Sequence, residues 1–277
     1  MIYKRIKPQP ALARFVDHYM FFSIKYDNSA DHLIKVLPPL PEHGIEFLPK
    51  GLATIFDNMT GENSQESRTV LFGYPVFRKD FIMPCEDYVV IRVIFTPGSV
   101  FALLGGLTMD HFANRIVNAE EVIGGELRDV NQKLADESEP FRMIAIVEQY
   151  LHRKFKNTTL YAHPVDKVAA VLVNNPEKFS IDWLADQACL SPRQFNRTFT
   201  ARMGIGPKTF GRMSRFHKAF SFKEKHPSVD WRDIVDRFRY TDYQHLSKDF
   251  TQFTGTLPPA LMQGGNLSPE KMLAIDE

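Results

Sequence analysis

The chain has 277 residues, 44% of them hydrophobic and 24% charged, which is enough apolar material for two ordinary domain cores and excludes a disordered chain. Cysteine occurs only at Cys85 and Cys189, which excludes a disulfide framework and a four-ligand zinc site and fits a reducing cytoplasm. The longest apolar region, Val89 to Gly105, is broken by Arg92 and Pro97, and the N-terminal segment with Pro8, Pro10, Arg14 and Asp17 has no apolar h-region, so neither a membrane span nor a secretion signal is expected.

The net charge of +1 conceals an uneven distribution. Residues 165–262 carry 15 Lys/Arg against 10 Asp/Glu, and between Ser191 and Lys225 nine cations face one acid, Glu224, a net of +8 over 35 residues. A stripe of that density attracts a polyanion if it is presented to solvent, and is otherwise a solvated helix face.

In chain order, the first half alternates short β-like runs with Pro and Gly punctuation. Strands are expected at Tyr19 to Tyr26, Gly44 to Phe47, Ala53 to Phe56, Thr69 to Phe72 and Tyr88 to Phe95, the last nearly continuously apolar and therefore interior to a sheet or barrel. After Gly105 the spacing becomes helical at Asp110 to Asn118, Glu126 to Glu137 and Pro140 to Lys156. The third of these lines up Met143, Ile144, Val147, Tyr150, Leu151 and Phe155 on one side. That stripe needs a partner surface, either the strand domain or a second copy of the chain. The polar stretch 157–164 reads as a linker between residues 1–156 and residues 165–262, with 263–277 as a tail. The fold class is thus α+β, a small barrel-like β domain with helices followed by an all-α domain.

From Val165 onward every periodic segment is helical, with expected spans Val165 to Asn174, Ile181 to Ala188, Pro192 to Met203, Pro207 to His226, Trp231 to Phe238, Tyr243 to Phe253 and a short turn near Pro258 to Met262. Ile181, Leu184, Ala185 and Ala188 form one apolar stripe. Ser191 then offers an N-cap, Pro192 suits the first helical position, and Phe195 and Phe199 anchor the next helix. This is a helix-turn-helix unit. It leaves Arg193, Gln194, Asn196 and Arg197 near the start of the second helix, and those side chains can make paired hydrogen bonds to base edges in the DNA major groove. A second unit repeats the grammar with Ile234, Val235, Phe238, the cap Asp242, and Leu246 and Phe250, presenting Tyr243, Gln244, Ser247 and Lys248. Beyond each helix, Phe199, Gly204 and Pro207 are echoed by Phe250, Gly255 and Pro258.

Residues 165 to 262 resemble the AraC/XylS family of bacterial transcription regulators. The first-unit pattern stands as Leu184-Ala185, Leu190-Ser191-Pro192-Arg193, Phe195, Arg197, Phe199, Gly204 and Pro207, with Phe210, Arg215 and Ala219 on a long connecting helix. The second stands as Ile234, Tyr240, Asp242, His245, Leu246, Ser247, Phe250, Gly255 and Pro258. Three positions depart from the family. Arg239 replaces a Gly that often serves a turn with φ > 0, so this residue must accept strain or the turn must differ. Val235 replaces a small Ala, and Pro259-Ala260-Leu261 replaces a polar and aromatic end. The second unit is also weakly charged, with four cations against five acids from His226 to Met262, so unit one is expected to anchor and unit two to read weakly.

The resemblance implies two recognition helices set in successive major-groove turns about 34 Å apart. It implies base contacts from Arg193, Gln194, Asn196, Arg197, Tyr243, Gln244, Ser247 and Lys248, and phosphate contacts from Lys208, Thr209, Arg212 and Thr256. Arg197 has the alternative of bracing helices through a carboxylate, and Tyr243 that of packing. Double-stranded DNA is the expected partner. RNA polymerase, a small-molecule effector and a homodimer through the N-terminal domain and the Met143–Phe155 helix are further expectations, and no membrane partner is expected. A helical interaction module that has lost DNA binding is the alternative.

Residues 1 to about 155 are similar to sensor-like domains that precede this type of DNA-binding domain in some regulators. The similarity lies in Pro41-Glu42-His43-Gly44-Ile45-Glu46-Phe47, Phe72-Gly73, Phe95-Thr96-Pro97-Gly98 and Leu103-Leu104-Gly105. It implies effector binding, dimerisation or both. No enzyme, cofactor or metal is expected. His18, His32, His43 and His111 are scattered without metal-site spacing, Pro84-Cys85 lacks the neighbours of a repair methyltransferase, and no Gly-rich phosphate loop or Gly-x-Ser-x-Gly element occurs.

Overall fold

A computed structural model describes residues 2–25, 34–83, 87–156, 158, 163–176 and 180–263. The expectations placed on His32, Cys85, most of the 157–164 linker and the 264–277 tail lie outside the described residues.

The N-terminal half builds β1 (Ile2–Ile6), β2 (Val16–Ile24), β3 (Ile34–Leu37), β4 (Gly44–Lys50), β5 (Thr54–Asp57), β6 (Asn63–Gln65), β7 (Thr69–Phe72), β8 (Lys79–Ile82), β9 (Tyr88–Phe95) and β10 (Ile116–Asn118). They form two antiparallel sheets, ordered β1-β2-β9-β4-β7-β10 and β3-β8-β5-β6. Each sheet has two ends among the described residues, so the barrel-like expectation resolves into two open sheets facing each other.

Strand β9 lies between β2 and β4, and its near-continuous apolar run follows from burial on both faces. Val89, Ile91, Val93 and Phe95 face a core shared with the helices, whereas Tyr88 and Val90 face the second sheet. The one charged residue in the strand, Arg92, takes its place on the inter-sheet face, directly opposite Glu46 in the β4 register.

The helices are α1 (Ser99–Leu103), α2 (Ala119–Ile123), α3 (Leu127–Ala135) and α4 (Pro140–Lys156). The stripe on α4 is consumed by its own domain. Met143, Ile144, Val147, Tyr150, Leu151 and Phe155 are all buried, with Phe155 stacked on Phe15 at 3.9 Å and Tyr150 edge-on to Phe47 at 6.4 Å. Each such side chain contributes about 2 kcal/mol of burial. The stripe is therefore no surface for a second copy, and a homodimer loses the observation that argued for it.

The helix expected over Asp110 to Asn118 does not form. A 3-10 turn at Met109–Phe112 is followed by Asn114 at φ 55° and then by β10, whose Ile116 pairs with Phe72 of β7. The Asn114 amide explains the break, because its Oδ1 accepts hydrogen bonds from the backbone N–H groups of Val76 (3.0 Å) and Phe77 (3.1 Å), an alternative to helical bonding.

The helical half comprises α5 (Pro164–Asn174), α6 (Ile181–Gln187), α7 (Pro192–Met203), α8 (Pro207–Lys225), α9 (Trp231–Arg237), α10 (Tyr243–Thr254) and α11 (Pro258–Gln263). Their common core holds Leu184, Ala185, Phe195, Phe199, Phe210, Phe216, Ile234, Leu246 and Phe250, and takes Tyr74 from the connection between β7 and β8. Tyr74 meets Phe210 edge-on at 4.9 Å, and the backbone N–H of Arg78 donates to the Phe253 carbonyl at 2.9 Å. One connection thus touches the start of α8 and the end of α10.

Candidate nucleic-acid interface

The two repeats match in length as well as pattern. Helices α6 and α9 have 7 residues each, and α7 and α10 have 12 each. In both, the first helix ends in a left-handed residue, Cys189 at φ 55° and Arg239 at φ 54°. The following N–H groups reach back over the turn, Leu190 to the Ala185 carbonyl at 3.0 Å and Tyr240 to the Val235 carbonyl at 2.9 Å, which satisfies carbonyls that the helix end leaves open. The question raised by Arg239 is settled by φ: the turn keeps the left-handed geometry, and a non-glycine residue occupies it in both units.

Past that residue the repeats differ. Unit one has Leu190 before its cap, while unit two has Tyr240 and Thr241. Ser191 then accepts from the Gln194 N–H at 3.3 Å, and Asp242 accepts from the His245 N–H at 2.7 Å. Aligned on these caps, Gln244 corresponds to Arg193, His245 to Gln194, Ser247 to Asn196 and Lys248 to Arg197. Tyr243 falls opposite Pro192, one place earlier than a simple reading of the repeat suggests. Each recognition helix ends on a left-handed glycine, Gly204 at φ 83° and Gly255 at φ 74°. Gly204 has a second constraint, since a Cβ there would lie 2.5 Å from the Met109 carbonyl oxygen.

Arg193, Gln194, Asn196 and Arg197 are all exposed on α7. Arg193 and Arg197 make no ion pair among the described residues, so the alternative of Arg197 as a brace is not realised. Gln194 has local work: its Oε1 accepts from the backbone N–H of Ser191 (3.2 Å) and from the Ser191 hydroxyl (2.9 Å), a capping box that leaves its amide N–H groups outward. On α10, Gln244 and Lys248 are exposed, Ser247 is half-buried, and Tyr243 keeps 39% of its surface while touching Trp231 edge-on.

The basic stripe is mostly internal bracing. Arg202 is buried and forms a two-pronged pair with Asp166, both contacts at 2.6 Å. Arg212 donates to Asp249 Oδ1 from Nε (3.0 Å) and Nη2 (2.5 Å) and to Gln252 at 2.6 Å, while Arg215 donates to Asp249 Oδ2 at 3.1 Å. Asp249 is fully buried. Lys223 caps the end of α8, donating to the carbonyls of Pro227 and Val229, and Lys218 donates to the Asn174 carbonyl. Lys208 stays exposed at the start of α8. Gly206 there supplies no side-chain cap, so the first N–H groups and the positive end of a 19-residue helix are open to an anion. Thr209 is half-buried beside it, and Thr256 bonds Thr254 just before α11.

Three residues that the sequence reading did not single out as working parts hold the units in place: Asp166, Asp249 and His245. The last contacts the Arg215 guanidinium at 3.1 Å and the Thr241 hydroxyl at 3.4 Å. A signal existed for Asp249, which falls among Leu246, Phe250 and Phe253 on the apolar side of α10. A charge in such a stripe must have a partner.

Residues 184–264 match the family model described as "Helix-turn-helix domain". The chain carries an AraC-type helix-turn-helix domain. The match runs from Leu184, within α6, through α11, so it takes in the turns and recognition helices of both units and the helix between them. No curated protein matches the chain. Among solved structures, it aligns with ToxT from Vibrio cholerae O395 at 8% identity and TM-score 0.47, covering 91% of this chain and 98% of that one. It also aligns with ToxT bound to (E)-4-(8-methylnaphthalen-1-yl)but-3-enoic acid at 10% identity and TM-score 0.46, covering 88% and 97%. A third is unsaturated fatty acid bound ToxT from strain SCE256, at 12% identity and TM-score 0.44, covering 85% and 96%. Among the described residues, no helix is long and apolar enough to cross a membrane.

Proposed function

We propose that the chain is a sequence-specific, DNA-binding transcription regulator in which unit one supplies the main base readout and the N-terminal domain responds to a small effector. The observation that carries the reading is the sorting of cations around unit one. The stripe's interior members are locked into Asp166, Asp249 and backbone carbonyls, whereas Arg193, Arg197 and Lys208 are left outward on the helix starts that a groove and its phosphates would meet. Asn196 joins Arg193 and Arg197 in base contact, Gln194 contributes its amide N–H groups, and Tyr243, Gln244, Ser247 and Lys248 form the weaker second reading surface. Lys208, Thr209 and Thr256 contact phosphates. Arg212 serves first as the Asp249 brace and reaches phosphate only through its exposed edge.

The test is selection of bound duplexes from a random library by the purified full-length protein and by an Arg193→Ala/Arg197→Ala variant. An enriched motif spanning two groove turns that vanishes in the variant is expected. Enrichment unchanged by the double substitution would remove unit one from the reading surface. Absence of any enrichment, with no fall of affinity with salt, would instead favour a helical module that binds protein.

A further inference from the structure

Between the two sheets of the N-terminal half lies a cleft that opens to solvent, with about 510 Å³ of space that includes part of that solvent, walled by apolar side chains that include Leu40, Phe72, Phe77 and Phe81. A second space of about 440 Å³ adjoins it and shares Leu37, Glu46, Phe81 and Arg92. An apolar pocket with few polar groups is the usual form of a small-molecule site, and the polar groups determine which molecule fits.

Most of those groups already have partners. Arg92 is bound to Glu46, and Lys79 to Asp57. Glu66, deeper between the sheets, accepts from the Ala53 N–H at 2.7 Å and the Tyr88 hydroxyl at 3.2 Å. Glu42 differs: it lines the cleft, and its Oε2 is buried with no hydrogen-bond partner. Burial pushes its carboxyl above the usual range against the opposing pull of His18, Arg92 and Arg5, none of which donates a hydrogen bond to Oε2, so the group gains from a ligand that brings a donor together with a positive charge. The Arg92 guanidinium already lies over the Phe72 ring at 5.1 Å, and the rings of Phe77 and Phe81 are compatible with a cation beside them. The one other charged group of the lining is Arg115, which is exposed at the rim and donates weakly to the His111 carbonyl at 3.5 Å.

We propose that this cleft binds a small amine, its apolar body among Leu40, Phe72, Phe77 and Phe81 and its ammonium group on Glu42. The assignment rests on the effector-responsive reading above and gives it a ligand class. It also gives it a route. The wall from Phe72 to Lys79 is the connection whose Arg78 N–H holds the Phe253 carbonyl and whose Phe77 ring lies 3.3 Å from where a Cβ on Gly255 would stand, so occupancy is felt at the end of the second recognition helix.

The experiment is calorimetric titration of the full-length protein with 2-phenylethylamine and with 3-phenylpropionate, which share a ring and chain but carry opposite charges. Saturable binding of the amine is expected, with the carboxylate about tenfold weaker or worse and with Glu42→Gln reducing amine affinity about tenfold. Leu40→Trp, which fills the apolar end without touching the carboxyl, should weaken the amine similarly and serves if Glu42→Gln fails to fold. Carboxylate binding that equals the amine's, absence of saturable amine binding, or an amine affinity indifferent to both substitutions would overturn the proposal. Duplex binding is measured on the same preparation. Amine binding without it supports the cleft's assignment while sinking the regulator reading, and duplex binding without amine binding does the reverse.

Discussion

Replacing Arg239 with glycine should stabilise the protein. The residue sits at φ 54°, and its counterpart Cys189 at φ 55°. Holding an L-residue in the left-handed region costs roughly 1–2 kcal/mol, while glycine returns about 0.4–1 kcal/mol of that through the greater freedom of its unfolded chain. Arg239 is exposed and makes no ion pair among the described residues, so losing its charge adds little. The net expectation is a gain of about 0.5–1 kcal/mol for Arg239→Gly, and about twice that for the double variant with Cys189→Gly, since the two turns share no contacts. Urea denaturation followed by circular dichroism would show the gain as a higher midpoint at unchanged slope. Arg239→Ala is the control, because alanine removes the side chain and keeps the φ penalty. Should alanine stabilise as much as glycine, or should glycine destabilise, the backbone reasoning would be wrong and the side chain itself would be responsible.

At Gly204, where a Cβ would approach the Met109 carbonyl to 2.5 Å at φ 83°, Gly204→Ala should cost more than Gly255→Ala, whose nearest neighbour is the movable Phe77 ring at 3.3 Å; equal losses by thermal denaturation would contradict this. Asp249→Asn leaves Arg215, whose side chain is only 14% exposed, without its counter-charge, and should cost about 3 kcal/mol, discounted for the freedom of Arg212 to swing outward; a measured loss under about 1 kcal/mol would show the node to be dispensable. His43 is buried with neither ring nitrogen bonded, and burial holds its pKa down at about 3, so between there and its ordinary value near 6.5 only the unfolded chain takes up the proton. Stability is therefore lost as pH falls below about 6.5, by up to roughly 1.4 kcal/mol per unit, and His43→Phe should flatten that part of the profile relative to the native chain; parallel profiles would refute it. In DNA titrations, Arg193→Ala should lose about 1–3 kcal/mol and relax preference at one position, whereas Lys208→Ala should weaken all sequences alike and lower the salt slope by about one; a sequence-selective Lys208 effect would exchange the two roles.

The helical half was legible because its signals are local. Ser191-Pro192 and the Pro207 helix start, the i,i+4 pairs Phe195/Phe199 and Leu246/Phe250, and the glycines after each recognition helix lie within a few residues of what they determine, and the expected spans agree with α5 to α11 to within a residue or two. The N-terminal half depends on distant partners. Strands β1, β3, β6, β8 and β10 went unread because short runs such as Asn63–Gln65 acquire strand geometry only from their neighbours, and Asp110 to Asn118 had helical spacing that the Asn114 bonds to Val76 and Phe77 override.

The charge pattern shows the same boundary between local and distant information, with a functional consequence. Arg197, Arg202, Arg212 and Arg215 look alike in the sequence, four cations on two amphipathic helices. What separates the outward Arg197 from the other three is whether a carboxylate arrives from elsewhere: Asp166 on α5 for Arg202, Asp249 on α10 for Arg212 and Arg215. Those acids can be recognised, since Asp166 and Asp249 both interrupt apolar faces, and each buried acid requires a cation from its surroundings. Of the nine cations in the stripe, three are claimed by these carboxylates, and Lys218 and Lys223 by backbone carbonyls; Arg193, Arg197 and Lys208 stand near the helix starts, and it is they, rather than the density of the stripe, that the proposed reading turns toward DNA.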